Sequence, residues 1–287
     1  MSSPDFGGVW TERKLSVVRR YLEAYAQALK NQPFKRLYID AFAGTGDRAE
    51  KRRESLPLLD LPELDAITKG SARLALEVNP PFDTYVLIER AARRASELSA
   101  LVQAYPDRSI TVLNADANQA IVDLCQITNW RETRGVVFLD PYGLQVAWDT
   151  LVAISGTEAL DVWILFPTGM GLNRLLTKDG NIPVEWQEAL DRFIGTSEWR
   201  STFYKVEEAT DLFGAVDQRL VKTADAERFE MFLLNRLKSI FPVVMERGLP
   251  LTNSKGQTMY LLLFASANPS RKVKALALKL ARWAAKV

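Results

Sequence analysis

Apolar positions in this chain recur with two periods, and the periods alternate. Leu15, Val18, Leu22, Tyr25, Ala26 and Leu29 return at helical spacing. That pattern predicts a helix opening near Trp10, with Thr11 as a candidate cap and Pro33 as its stop. The short run Leu37-Tyr38-Ile39 then ends in Asp40 and predicts a buried strand. Further strands are predicted at 84–88, ending at Glu89, at 110–113, at 135–139, ending at Asp140, and at 160–166. Helical patterns fall between them, near 70–77, 91–105, 118–126 and 148–154. Strands alternating with helices predict parallel βαβ units, hence a Rossmann-like, mostly parallel α/β sheet with helices on both faces.

Three stretches break this rhythm. Residues 47–69 are highly charged and interrupted by Pro57 and Pro62, and read as a charged insertion behind the first strand. Residues 168–214 hold short helical patterns rich in Trp and Phe, and read as a helical insertion or cap whose aromatic residues form a small core or, for some of them, a face for stacking on a base. Beyond a long helix near 224–240, the runs 243–246 and 259–264 read as an antiparallel hairpin around Asn253-Ser254-Lys255-Gly256. A basic helix follows at 270–285. The 287 residues, 47% hydrophobic and 25% charged, suffice for one large domain, 1–287, carrying these insertions.

Composition narrows the chemistry. Histidine is absent and Cys125 is the one cysteine, so no imidazole or thiolate metal site is expected and the commonest general base is missing. Cys125 lies on an apolar helical stretch and reads as a small core residue; one cysteine suits a reducing cytoplasm. No apolar run is long enough to cross a membrane, and no basic-then-apolar leader is present. The net charge of +2 gives no global pull toward nucleic acid. Clusters such as Lys51-Arg52-Arg53, Arg93-Arg94 and Arg271-Lys272-x-Lys274 could contact phosphates but read first as solvated faces, and Lys14 could enter the site but reads first as a helix-surface lysine.

Candidate chemistry sits where the strands end. In a parallel sheet all strand carboxyl ends face one crevice. Asp40 with Gly44 and Gly46, Glu89, Asp116, and Asp140-Pro141-Tyr142-Gly143 therefore converge. The glycines let the backbone turn tightly and approach a ligand. An acid closing the second strand is placed to accept hydrogen bonds from a ribose diol. One just after the third can reach an exocyclic amine of a base. Gly44-Thr45-Gly46-Asp47-Arg48-Ala49 also fits a dinucleotide-binding turn, but the ribose acid should then follow about 20 residues on, far short of Glu89.

Asp40-Ala41-Phe42-Ala43-Gly44-Thr45-Gly46 resembles the first motif of the class I S-adenosylmethionine-dependent methyltransferases. Asp140-Pro141-Tyr142-Gly143 resembles a shortened Asp-Pro-Pro-Tyr motif of enzymes that methylate exocyclic amines, and is closer still to the Asp-Pro-Phe-Gly of transfer-RNA guanine amine dimethyltransferases. The resemblance implies an S-adenosylmethionine site formed by Asp40, Phe42, Ala43, Gly44, Gly46, Glu89, Asp116 and Ala117. It implies a catalytic group of Asp140, Pro141 and Tyr142, acting on a nucleobase amine in RNA or DNA. From Trp10-Thr11-x-x-Lys14 through Gly70-Ser71 to Leu263-Phe264-Ala265-Ser266, the chain is also similar to the bacterial three-Cys-motif partner proteins, which implies a partner bearing a three-cysteine motif. Two alternatives stay open: a catalytically silent cofactor- or partner-binding module, and a small-molecule or protein methyltransferase.

Overall fold

The computed structural model describes residues 9–43, 68–141, 143–168, 176–210 and 216–286. Helix α1 (Val9–Leu29) buries Trp10, Thr11, Lys14, Val17, Val18, Tyr21, Leu22, Tyr25 and Ala26, two residues per turn along one stripe. The first half of the sheet is β1 (Lys35–Ala41), β2 (Thr84–Ile88) and β3 (Ile110–Leu113). Helices α2 (Thr68–Leu76), α3 (Ala92–Val102) and α4 (Ala117–Ile127) are threaded among these strands. The second half holds β4 (Thr133–Leu139), α5 (Trp148–Gly156) and β5 (Leu160–Pro167), every residue of β5 being buried.

Beyond β5 come α6 (Val184–Ile194), α7 (Trp199–Phe203), β6 (Tyr204–Thr210), β7 (Val216–Lys222) and α8 (Ala226–Lys238). The chain continues with β8 (Val243–Val244), β9 (Leu249–Thr252), β10 (Thr258–Ser266) and α9 (Arg271–Ala284). The main sheet runs β3-β2-β1-β4-β5-β10, with β9 and β8 one after the other along the far edge of β10. β1 to β5 pair in parallel, and β10 runs antiparallel to β5. This is the mixed, Rossmann-like sheet that the sequence pattern predicts, with its antiparallel hairpin. The first arm of that hairpin is split: β9 makes the turn to β10, and β8 pairs further along the same strand.

The segment 168–214 is not wholly helical, contrary to the sequence reading. Its described part carries β6, which pairs with β7 in a two-stranded ribbon. The reason is local. Lys205-Val206-Glu207-Glu208 lacks an apolar face long enough to mark a strand, and the ribbon gains its order from cross-strand pairing instead. Nor do the aromatic residues there make a separate core. Phe193 and Phe229 pack on Phe166 of β5 with ring centroids 4.9 and 5.3 Å apart, and Phe203 lies 4.8 Å from Phe229. The charged stretch at 47–67 lies outside the described residues.

Two close approaches hold the sheet in place. A Cβ on Gly135 of β4 would stand 2.6 Å from the Leu37 carbonyl oxygen, so the β1–β4 contact needs a glycine. Across the other face, Tyr21 of α1 packs between Trp163 and Phe264, at 5.4 and 5.1 Å. Its hydroxyl donates to Asp161 at 2.6 Å. Helix α1 is thereby fastened over β5 and β10.

Candidate functional site

Register puts the strand ends in one row. Leu113, Ile88, Ala41, Leu139 and Ile164 lie side by side across β3, β2, β1, β4 and β5. The residues just beyond that row are therefore neighbours: Asn114, Glu89, Phe42 and Asp140. From β1 the chain crosses outward to β2 and β3, whereas β4 leads the other way to β5. The reversal between β1 and β4 is the topological switch point, where an open α/β sheet leaves a crevice. Asp40 and Asp140 stand on its two sides.

At the end of β1 the backbone is forced to turn. Phe42 has φ 75°, a left-handed conformation uncommon for a residue with a side chain. The Ala43 N–H still donates to the Ile88 carbonyl at 2.8 Å, which fixes the direction in which the chain leaves the sheet. Gly44 and Gly46 lie outside the described residues.

Glu89 is buried, with 2% of its surface exposed. Its Oε1 accepts the Ala91 N–H at 2.6 Å, whereas Oε2 is buried with no hydrogen-bond partner. Burial pushes its carboxyl upward, opposed by the Ala91 N–H and the Arg94 charge. Leaving a carboxylate oxygen buried and unsatisfied costs on the order of 1–3 kcal/mol, so this atom is a ready acceptor. The turn that presents it is held by Asn114, whose Nδ2 donates to the carbonyls of Glu89 and Arg90 at 2.9 and 2.8 Å.

Asp116 is exposed and caps α4: its Oδ1 accepts the N–H groups of Asn118 and Gln119 at 3.0 and 3.2 Å. Ala117 is buried in the first turn of that helix. Asn118, which sequence reasoning passed over, bridges two parts of the site. Its Nδ2 donates to the Gln145 carbonyl, and its Oδ1 accepts from the Ala147 N–H and the Thr150 hydroxyl, at 2.8–2.9 Å. It thereby ties α4 to the loop that follows Asp140 and Pro141.

Asp40 is fully buried and accepts the Tyr38 hydroxyl at 3.2 Å. Burial pushes its carboxyl up to about 7; hydrogen bonds from Ser71 and Tyr38 and the Lys14 charge oppose the rise, and the Asp140 charge adds to it. Pro141 is buried, Gly143 has φ 76°, and Tyr142 between them lies outside the described residues.

Lys14 faces the site and not the helix surface that the sequence favours. It is fully buried, and its ammonium lies 2.5 Å from Asp140 Oδ2. The rings of Trp10 and Phe138 flank that ammonium with centroids 5.3 and 5.9 Å away, and Trp10 stacks on Tyr260 at 4.7 Å. The lysine occupies the apolar stripe one turn before Val17 and Val18, so the stripe faces the sheet there and the side chain has no route to solvent. The Asp140 carboxylate and the two rings compensate the burial of its charge.

Among the described residues no group of His, Cys, Asp and Glu is arranged to hold a metal ion. Cys125 is half-buried in α4, where burial pushes its thiol up to about 12, as a core residue rather than a nucleophile would show. No described helix is long and apolar enough to cross a membrane.

No family model matches the chain, and no curated protein does. The resemblance to the three-Cys-motif partner proteins therefore stands on the quoted residues alone. Among solved structures, a Legionella pneumophila protein of the family DUF519 is similar over 96% of this chain and 90% of its own, at 16% identity and TM-score 0.48. A putative methyltransferase from Escherichia coli matches 71% of this chain and 84% of its own, at 14% identity and TM-score 0.30. The 23S rRNA methyltransferase ErmE matches 77% and 82%, at 14% identity and TM-score 0.27. At these values the functional reading rests on the chain's own strand order and site.

Proposed function

We propose that the protein is an S-adenosylmethionine-dependent methyltransferase acting on an exocyclic amine of a nucleobase in RNA or DNA. The observation that carries it is the unpartnered Glu89 Oε2, buried in the row of Phe42 and Asp140, two residues beyond Asp40. A carboxylate oxygen there fits a ribose hydroxyl donor. Asp116 and Ala117, at the head of α4, flank the place for the base. Phe42 and Ala43 turn the chain out of β1 beside the crevice, and Asp40 backs that turn with a carboxyl able to lose its proton near neutrality.

When bound, the cofactor would supply an activated methyl group, which passes to the acceptor nitrogen while the electron pair of its bond stays on sulfur. The residues then have to orient and stabilise an acceptor nitrogen rather than activate a donor. Asp140 and the Pro141 carbonyl accept the amine's N–H groups. That localises its lone pair and stabilises the positive charge that develops on nitrogen, and the extra proton leaves to water afterwards. Tyr142 supplies a face on which the base stacks.

The test is thermal. S-adenosylmethionine or its demethylated product, at about 100 times the dissociation constant, is expected to add roughly 2.7 kcal/mol of stability, and NAD none. Tritium transfer from S-adenosylmethionine into cellular RNA or DNA then tests the acceptor. No stabilisation at millimolar cofactor, or stabilisation by NAD instead, would sink the reading.

A further inference from the structure

Resting on that reading, one feature of the site goes beyond it. The acid assigned to the acceptor amine is not a bare carboxylate. Lys14 reaches it from α1, an element outside the four strand-end segments, at 2.5 Å from Oδ2. Lys14 is wholly buried, whereas the Asp140 side chain keeps 12% of its surface exposed. The ammonium therefore approaches from the protein side, and the carboxylate alone meets the crevice. The ammonium is fixed by more than the ion pair, because Trp10 and Phe138 hold it from two further sides and Tyr260 backs Trp10. Asp40, the other acid at the switch point, has its own partners in Tyr38 and Ser71.

We infer that Lys14 is a positioning residue that acts through Asp140: it cancels the carboxylate's charge and fixes its orientation, so that the site takes an uncharged acceptor nitrogen, such as a nucleobase amine, and turns away an alkylammonium. A bare carboxylate beside a methyl donor would attract protonated amines of lysine side chains and polyamines, whose nitrogen has no lone pair to attack with. The pair with Lys14 removes that attraction but keeps an acceptor of hydrogen bonds at Oδ1, since a carboxylate has lone pairs on both oxygens. This separates the nucleobase reading from a protein-lysine or polyamine methyltransferase.

The charge at the methyl position can be read without turnover, because S-adenosylmethionine carries a sulfonium and S-adenosylhomocysteine does not. Calorimetric dissociation constants for both ligands are to be compared in wild type, K14M, D140N and the double variant. Removing Lys14 leaves Asp140 unbalanced, so K14M is expected to favour the sulfonium ligand over the neutral one by about tenfold more than wild type does. D140N is expected to shift the ratio the other way, and K14M/D140N to return it to within about twofold of wild type. If one single variant fails to fold, the other with the double variant still fixes the sign. The acceptor side uses tritiated S-adenosylmethionine with total RNA, total DNA, spermidine and polylysine. Label is expected in nucleic acid with wild type and lost with K14M, while S-adenosylhomocysteine affinity stays unchanged. An unchanged ligand ratio in K14M, or label entering spermidine or polylysine with wild type, would overturn the inference. Failure of wild type to bind either ligand would overturn the methyltransferase reading on which it rests.

Discussion

The substitution D40N probes the buried acid at the switch point. Burial raises the Asp40 carboxyl from 3.8 to about 7, against the pull of Ser71, Tyr38 and Lys14. An acid raised in this way keeps its proton in the fold after the unfolded chain has lost it. Between about pH 4 and 7 the folded state thus binds more protons than the unfolded one, and stability falls as pH rises through that window. With an unfolded value near 3.9, the loss from pH 5 to pH 8 is about 2.5 kcal/mol. Asparagine has no such proton, and its side-chain oxygen still accepts the Tyr38 hydroxyl. Relative to wild type, D40N is therefore expected to gain about 2.5 kcal/mol between pH 5 and pH 8. Asp161, raised by burial to about 6, adds its own slope to both proteins and cancels in the difference. Urea unfolding followed by tryptophan fluorescence at pH 5, 6, 7 and 8 measures the two curves. Parallel curves would show that Asp40 is ionised throughout and that its burial is compensated.

Two other substitutions separate binding from folding. E89A is expected to weaken S-adenosylmethionine binding by about 1.5–3 kcal/mol with little loss of stability, since it removes a hydrogen-bonded carboxylate whose one oxygen has no internal partner; an unchanged calorimetric affinity would make Glu89 a mere strand-end acid. G135A is expected to cost at least about 2 kcal/mol in urea unfolding, because its Cβ meets the Leu37 carbonyl at 2.6 Å and backbone cannot swing aside; a neutral result would mean that β1 and β4 can separate slightly.

Much of the sheet, and three of its strand-end acids, could be read from residue order. Asp40, Glu89 and Asp140 each close a short apolar run, and that local pattern survives because parallel strands are buried on both faces. Lys14 was legible as a site residue only as the less favoured of two readings. Its position on the Trp10, Val17, Val18, Tyr21 stripe was available as a signal, but a lysine at helical spacing more often marks the helix surface, and its partner lies far along the chain. Asp116 reads from the sequence only as a ligand for the base, and its Oδ1 is in addition engaged as the cap of α4. Asn118 and Asn114 do their work through backbone carbonyls and a hydroxyl, contacts that residue type alone does not announce. The β6–β7 ribbon was hidden because its strands have no continuous buried face to set a period of two.

The stack of Trp10 on Tyr260 has a consequence for how the protein is made. Trp10 and Lys14 emerge from the ribosome well before Tyr260, which lies on the strand that α1 must rest against. At about 5–20 residues per second, translation from Lys14 to Tyr260 takes on the order of 12–50 s. Throughout that interval the apolar stripe of α1 has no β10 to cover it, and a nascent chain already holding β1 to β5 has its acids in row without the wall behind them. A fold stitched together from such distant segments completes its pocket only once β10 is made, and chains stalled before β10 are expected to be substrates for chaperones.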